Sequence, residues 1–185
     1  MSGLEAHDNG FGAHAVATLA AALTGLPRLS HIGLARNVSS SPSSDPGARA
    51  EAAAAFAALA ALLTHSGCAV RTLELGGHPT THAVPSALAS LLLAAAACPT
   101  LTSLDVSGHG GGGTLAASDA LAHLLRNATA LRTLSIHRNA FPAAALGRAL
   151  RVWRRRNLRL RAVSLFARGR GVATISLEHE ASFFR

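Results

Sequence analysis

The sequence contains no lysine and no tyrosine. Without lysine there is no P-loop, no Schiff-base amine and no Ser-Lys dyad, each of which needs that amino group. Aromatic residues are only 4% of the chain. Rings therefore cannot build the core, and base-stacking platforms for nucleic acid are poorly supplied. Asp and Glu together number 9, which leaves little for paired acid–base chemistry. Cysteine occurs only as Cys68 and Cys98, too sparsely for a disulfide framework, and a reduced intracellular pair is expected. No apolar run reaches the length of a membrane-spanning helix. Glu5 and Asp8 stand where a signal peptide needs positive charge, so secretion is not expected.

What is present is leucine, alanine and arginine. Hydrophobic residues are 49% of 185, enough for one domain or one array of repeats with a continuous aliphatic core. All 17 basic residues are arginines, and the formal charge is +8. The charge is uneven: it gathers between Arg148 and Arg170, and no acid falls between Asp119 and Glu178. Arg148, Arg151, Arg154, Arg155, Arg156 and Arg159 form a candidate basic patch. One reading is a surface for acidic membrane lipid or an acidic partner. The other is a solvated helix face in a composition shaped by GC-rich coding. The scarcity of aromatics argues against nucleic acid.

The organising signal is a recurring phrase, Leu-x-x-Leu-x-Leu, usually with Asn or His three positions on. It reads Leu29, Ile32, Leu34, Asn37, then Val70, Leu73, Leu75, His78. It returns as Leu101, Leu104, Val106, His109 and as Leu131, Leu134, Ile136, Asn139. A weaker copy is Leu160, Val163, Leu165, and a truncated one is Leu4, Ala6, Asn9. Aligned on positions 4, 32, 73, 104, 134 and 163, all but one of the steps are nearly equal. The long step spans a Ser/Pro-rich insertion at 38–47, expected to be a surface loop. Each phrase alternates as a strand should, and Gly-rich turns and Ala/Leu segments follow. Helices are expected at about 13–23, 48–64, 85–97, 117–126 and 142–156, with Ser118 near a start and Pro142 in a first turn.

This spacing matches the long-period leucine-rich repeat, one strand and one helix per unit. The expected fold is α/β: a ribonuclease-inhibitor-like solenoid of about six strand–helix units, incomplete at its N-terminal end. Residues 1–168 form the repeat domain, and residues 169–185 are expected to be a C-terminal tail.

The turn phrases carry a family resemblance. They are Asp8-Asn9-Gly10-Phe11-Gly12, then Leu29 to Asn37 before the insertion, then Leu101 to Gly108, Leu124 to Asn139, and Asn157 to Val163. In this order, with the insertion in that place, the chain resembles the last repeats of the CARMIL family (capping protein, Arp2/3 and myosin-I linker). The resemblance spans roughly residues 4–166. It implies a cytoplasmic scaffold of actin filament organisation and cell migration, at the plasma membrane or cytoskeleton, with actin-regulatory proteins as partners. The family's capping-protein motif is not found in this sequence, and His78 and His109 replace the expected Asn.

The residues that suggest chemistry also have plainer roles. His78 and His109 occupy equivalent positions, with His82 or His137 as a third candidate ligand, yet zinc needs a convergent set with supporting hydrogen bonds. Imidazole standing in for a turn Asn is the simpler reading. His179-Glu180 lacks the second His of a zincin helix, because Phe183 stands there. The run from Gly108 to Gly113 lacks the Lys-Ser/Thr of a phosphate loop. No nucleophile elbow is found. The expectation is a non-enzyme with no cofactor and no metal. Its candidate protein-binding residues lie on the outward side of the sheet: Arg71, Glu74, Thr102, Asp105, Arg132, Ser135 and Arg161. Glu74, Asp105 and Ser135 are expected along one row, and the arginines with Thr102 along another. The alternative function is a generic ribonuclease-inhibitor-type binding module, of the immune-sensor or GTPase-activating kind.

Overall fold

A computed structural model describes residues 2–37, 46–77, 85–109 and 111–156, and two further strands, Ala162–Leu165 and Ala173–Ser176. Strand and helix alternate: β1 (Gly3–Glu5), α1 (Ala13–Leu23), β2 (His31–Gly33), α2 (Pro46–Thr64), β3 (Thr72–Glu74) and α3 (Pro85–Ala97). There follow β4 (Ser103–Asp105), α4 (Leu115–Asn127), β5 (Thr133–Ser135), α5 (Ala143–Arg156), β6 (Ala162–Leu165) and β7 (Ala173–Ser176). All seven strands form one sheet in chain order. Strands β1 to β6 pair in parallel, each with the next. Parallel neighbours require a crossover, which each intervening helix supplies.

The register is the sequence phrase made physical. Leu4, Ile32, Leu73, Leu104, Leu134 and Val163 lie opposite one another across the sheet. Because strand side chains alternate, the middle residue points inward and its neighbours outward. Ile32, Leu73, Leu104 and Leu134 are buried, while Thr72, Glu74, Ser103 and Asp105 stay half-exposed. The outer leucines of the phrase deepen the core: Leu29, Leu34, Val70, Leu75, Leu101, Val106, Leu131 and Ile136 are all buried. Burying each such side chain stabilises the fold by about 1.5–3 kcal/mol. Helices pack in series, α1 on α2, α2 on α3, α3 on α4 and α4 on α5. Alanine permits that close approach: Ala20, Ala95, Ala117 and Ala149 are fully buried at the interfaces.

Strands β1 to β5 each end in the same turn. Asp8, Arg36, Gly77, Gly108 and Arg138 occupy equivalent positions and all have positive φ, between 57° and 80°. Glycine takes this left-handed conformation without penalty, and Asp8 and Arg36 are tied there by backbone bonds to Ala35 O and Gly76 O, each at 3.0 Å. In two of the units a buried Asn then ties the turn to the one before it. Asn37 Oδ1 accepts from the Asn9 backbone N–H at 2.8 Å, and its Nδ2 donates to Ala6 O. Asn139 repeats this with the His109 N–H at 2.8 Å and Val106 O at 2.6 Å. His109 fills the same place in its own unit. It is wholly buried, with its ring edge-on to Phe56 at a centroid distance of 5.1 Å.

Several boundaries shift from expectation. α4 begins at Leu115 because Thr114, not Ser118, is the cap; Thr114 Oγ accepts from Ala117 N–H at 3.2 Å. Ser118 sits in the first turn and donates back to Thr114 O. α2 starts at Pro46, inside the stretch read as insertion, since proline suits a first helical turn. α5 starts at Ala143, with Pro142 O accepting its first bond from Leu146 N–H. The glycine run contains a 3-10 turn at Gly111–Gly113. There Gly112 N–H donates to Asn139 O at 2.5 Å, so that amide serves the neighbouring unit rather than a phosphate. β7 lies within the expected tail and joins the sheet antiparallel to β6. Residues 38–45, His78, His82, the 157–161 segment and Phe183 lie outside the described residues.

Candidate binding face of the sheet

The strand register arranges the outward side chains in rows. Glu5, Gly33, Glu74, Asp105, Ser135 and Ser164 form one row across the sheet. Glu74, Asp105 and Ser135 therefore align as the sequence suggests. The second row precedes the strands and is set by backbone bonds. Arg71 N–H donates to Ser30 O, Thr102 N–H to Arg71 O and Arg132 N–H to Thr102 O, each at 2.7 Å. Arg71 and Arg132 are exposed, and Thr102 is half-buried, its hydroxyl donating to Arg71 O at 2.9 Å. Asp105 Oδ1 accepts from Ser107 N–H at 2.9 Å, and Ser135 Oγ lies 3.0 Å from His137 Nδ1. These bonds hold the side chains at fixed heights on the face. Arg161 lies outside the described residues.

The face extends further toward β1 than the sequence reading placed it. Glu5 and His7 belong to it, and with His31 and Glu74 they form a compact group. His7 Nε2 lies 2.5 Å from Glu5 Oε2 and 3.5 Å from Glu74 Oε2. His31 Nε2 lies 2.5 Å from Glu5 Oε1, so each oxygen of one carboxylate meets one imidazole. The backbone makes room: a Cβ at Gly33 would fall 2.4 Å from Glu5 Oε2 and 2.5 Å from His7 Nε2. The step of 28 between Leu4 and Ile32 contained this information, because it sets Glu5 opposite Gly33 and His7 opposite Ala35.

The hydrogen-bond network also decides the chemistry of this group. His7 Nδ1 accepts from Ala35 N–H at 3.1 Å. The neutral ring then carries its proton on Nε2, which donates toward the carboxylates instead of offering a lone pair. That tautomer is wrong for metal ligation through Nε2. Among the described residues, no group of three or more His, Cys, Asp or Glu is arranged to hold a metal ion. Beside this cluster, Asp8 Oδ2 and Arg36 Nη2 pair at 2.9 Å, both well exposed.

The arginine patch is only partly placed. Arg148 and Arg151 are exposed on α5. Arg154, Arg155 and Arg156 belong to the same helix, but their side chains, like Arg159, lie outside the described residues. No helix among the described residues is long and apolar enough to cross a membrane. No protein-family model matches the chain, and no curated protein matches it.

Proposed function

We propose that this chain is a non-catalytic binding module of the leucine-rich repeat class, a curved solenoid that offers the open face of its sheet to a polar protein partner. One observation carries this reading. The aliphatic phrase is consumed by the core, while the residues between its leucines line up in strict register on the other side. No described element covers that side, where Arg71 and Arg132 are exposed. Within the class, the favoured reading is a CARMIL-like cytoplasmic scaffold in actin filament organisation and cell migration. It rests on the order of the turn phrases and on the lengthened second unit, whose helix α2 runs 19 residues. The partner chemistry is an actin-regulatory protein with alternating charges, because stripes of opposite sign select complementary stripes.

Proximity labelling in motile cells tests both levels. The tagged chain should label actin-regulatory proteins and gather at the advancing edge. A variant carrying Glu74→Arg, Asp105→Arg and Arg132→Glu should lose that labelling while keeping its circular dichroism spectrum. Partners outside the actin machinery that are still lost in the variant would remove the CARMIL-like reading and leave the binding module. Labelling indifferent to the variant would overturn the module itself.

A further inference from the structure

The two cysteines fall in equivalent turns of successive units. Cys68 follows α2 and Cys98 follows α3, and each closes its turn with the same backbone bond. Cys68 N–H donates to His65 O at 2.9 Å, and Cys98 N–H to Ala95 O at 3.3 Å. The side chains already face each other, with Sγ to Sγ at 3.9 Å, and both thiols are free.

A hydroxyl holds them in place. Thr100 Oγ lies 2.8 Å from Val70 O and 3.4 Å from Cys98 Sγ. Its single proton goes to the closer carbonyl, so the Cys98 thiol donates to the hydroxyl oxygen. Cys98 Sγ is then free to accept from the Cys68 thiol. The two sulfurs differ in access: Cys98 is buried and Cys68 is half-exposed.

We propose that Cys68 and Cys98 form a reversible disulfide clasp between the units of β3 and β4, made by exchange with a small disulfide such as oxidised glutathione. Cys68, the accessible thiol, reacts first. It loses its proton to solvent, and its thiolate attacks one sulfur of the oxidant. A bond forms from Cys68 Sγ to that sulfur, the oxidant's own S–S bond breaks, and one glutathione thiolate leaves. Cys98 then loses its proton and attacks Cys68 Sγ. The Cys68–Cys98 bond forms and the second glutathione leaves. The protein sulfurs give up two electrons in total, and the oxidant takes both. Burial raises the pKa of the Cys68 thiol, and the neighbouring Cys98 adds to this, while a backbone hydrogen bond involving Val70 opposes it. The exchange is accordingly slow at neutral pH. The clasp would join the loops that lead into Arg71 and Thr102, whose spacing the Thr102 N–H to Arg71 O bond already sets.

The test uses the full reduced chain and oxidised glutathione, followed by alkylation and non-reducing peptide mapping. The expected product is a monomer with the Cys68 and Cys98 peptides joined and the mass of two hydrogens lost. Its unfolding temperature should rise by several degrees and return on reduction. Cys98→Ser should halt the reaction at glutathione on Cys68, and Cys68→Ser should leave Cys98 unmodified. Phenylarsine oxide, which bridges paired thiols with loss of water, should protect both cysteines of the wild-type chain from alkylation. Three results would overturn the proposal: both thiols still alkylated after oxidant has converted free dithiothreitol, glutathione left on wild-type Cys68 with no second step, or joined peptides only in dimers.

Discussion

Asn139→Ala is the sharpest test of how the units hold together. Asn139 is 1% exposed, and its carboxamide is shared between two backbone groups of the preceding unit. Its Oδ1 satisfies His109 N–H at 2.8 Å and its Nδ2 satisfies Val106 O at 2.6 Å. Alanine removes both partners and leaves a donor and an acceptor buried. An unsatisfied buried group costs about 1–3 kcal/mol, so the substitution should lower stability by about 2–5 kcal/mol. Urea unfolding followed by far-UV circular dichroism reads this as a lower midpoint at constant slope. Asn139→Asp sharpens the mechanism. The neutral acid can accept from His109 N–H and donate its own proton to Val106 O, whereas the carboxylate can only accept. The folded state therefore holds that proton more tightly than the unfolded chain, and stability falls as pH rises. The aspartate variant should be closer to wild type at about pH 5 than at about pH 8. A loss below about 0.5 kcal/mol for alanine, or an aspartate variant indifferent to pH, would refute the bridging role.

Other expectations rest on separate features. Arg138, at φ 59°, sits in a conformation that costs a side-chain-bearing residue about 1–2 kcal/mol, so Arg138→Gly should raise the urea midpoint slightly. Gly112→Ala places a Cβ 2.4 Å from Asn139 O and should lower stability by about 1–3 kcal/mol in the same assay. Leu104→Ala empties the middle of the inward row, where the side chain is 1% exposed, and should cost about 2–5 kcal/mol. Iodoacetamide reacts with thiolate, and burial pushes the Cys68 thiol up. Alkylation at neutral pH should be slower in the folded chain than in urea, and the difference should shrink as pH rises.

The strands and helices were legible because their period is written in leucines. Leu4, Ile32, Leu73, Leu104 and Leu134 set the register directly, and all five helices fall where the Ala/Leu segments lie. Helix starts were less legible, because Thr114 and Ser118 both suit a cap and only the backbone chooses between them. β7 carries no leucine phrase: Ala173–Ser176 pairs antiparallel by backbone bonds that any such stretch can make. The Glu5–His7–His31–Glu74 group is illegible in the sequence for another reason. Its members are scattered over 70 positions and meet only once the sheet sets Gly33 beneath them.

That group divides the face into two electrical halves. At the β1 end the charges answer one another: Glu5 is shared by His7 and His31, Glu74 approaches His7, and Asp8 pairs with Arg36. Toward β5 the pattern changes. Among the described residues, Arg71 and Arg132 have no carboxylate within ion-pair distance, and Asp105 spends one oxygen on the Ser107 N–H. A charge already paired must break its pair to meet a partner, whereas an open one loses only water. If the face binds as proposed, the affinity is concentrated over β3 to β5. Glu5→Gln should then leave partner binding nearly unchanged, while Arg132→Glu should weaken it and reduce its salt dependence. Comparing the two by titration against a labelled partner separates a face that binds from one that is merely charged. A face whose binding fell equally with either substitution would not be divided in this way.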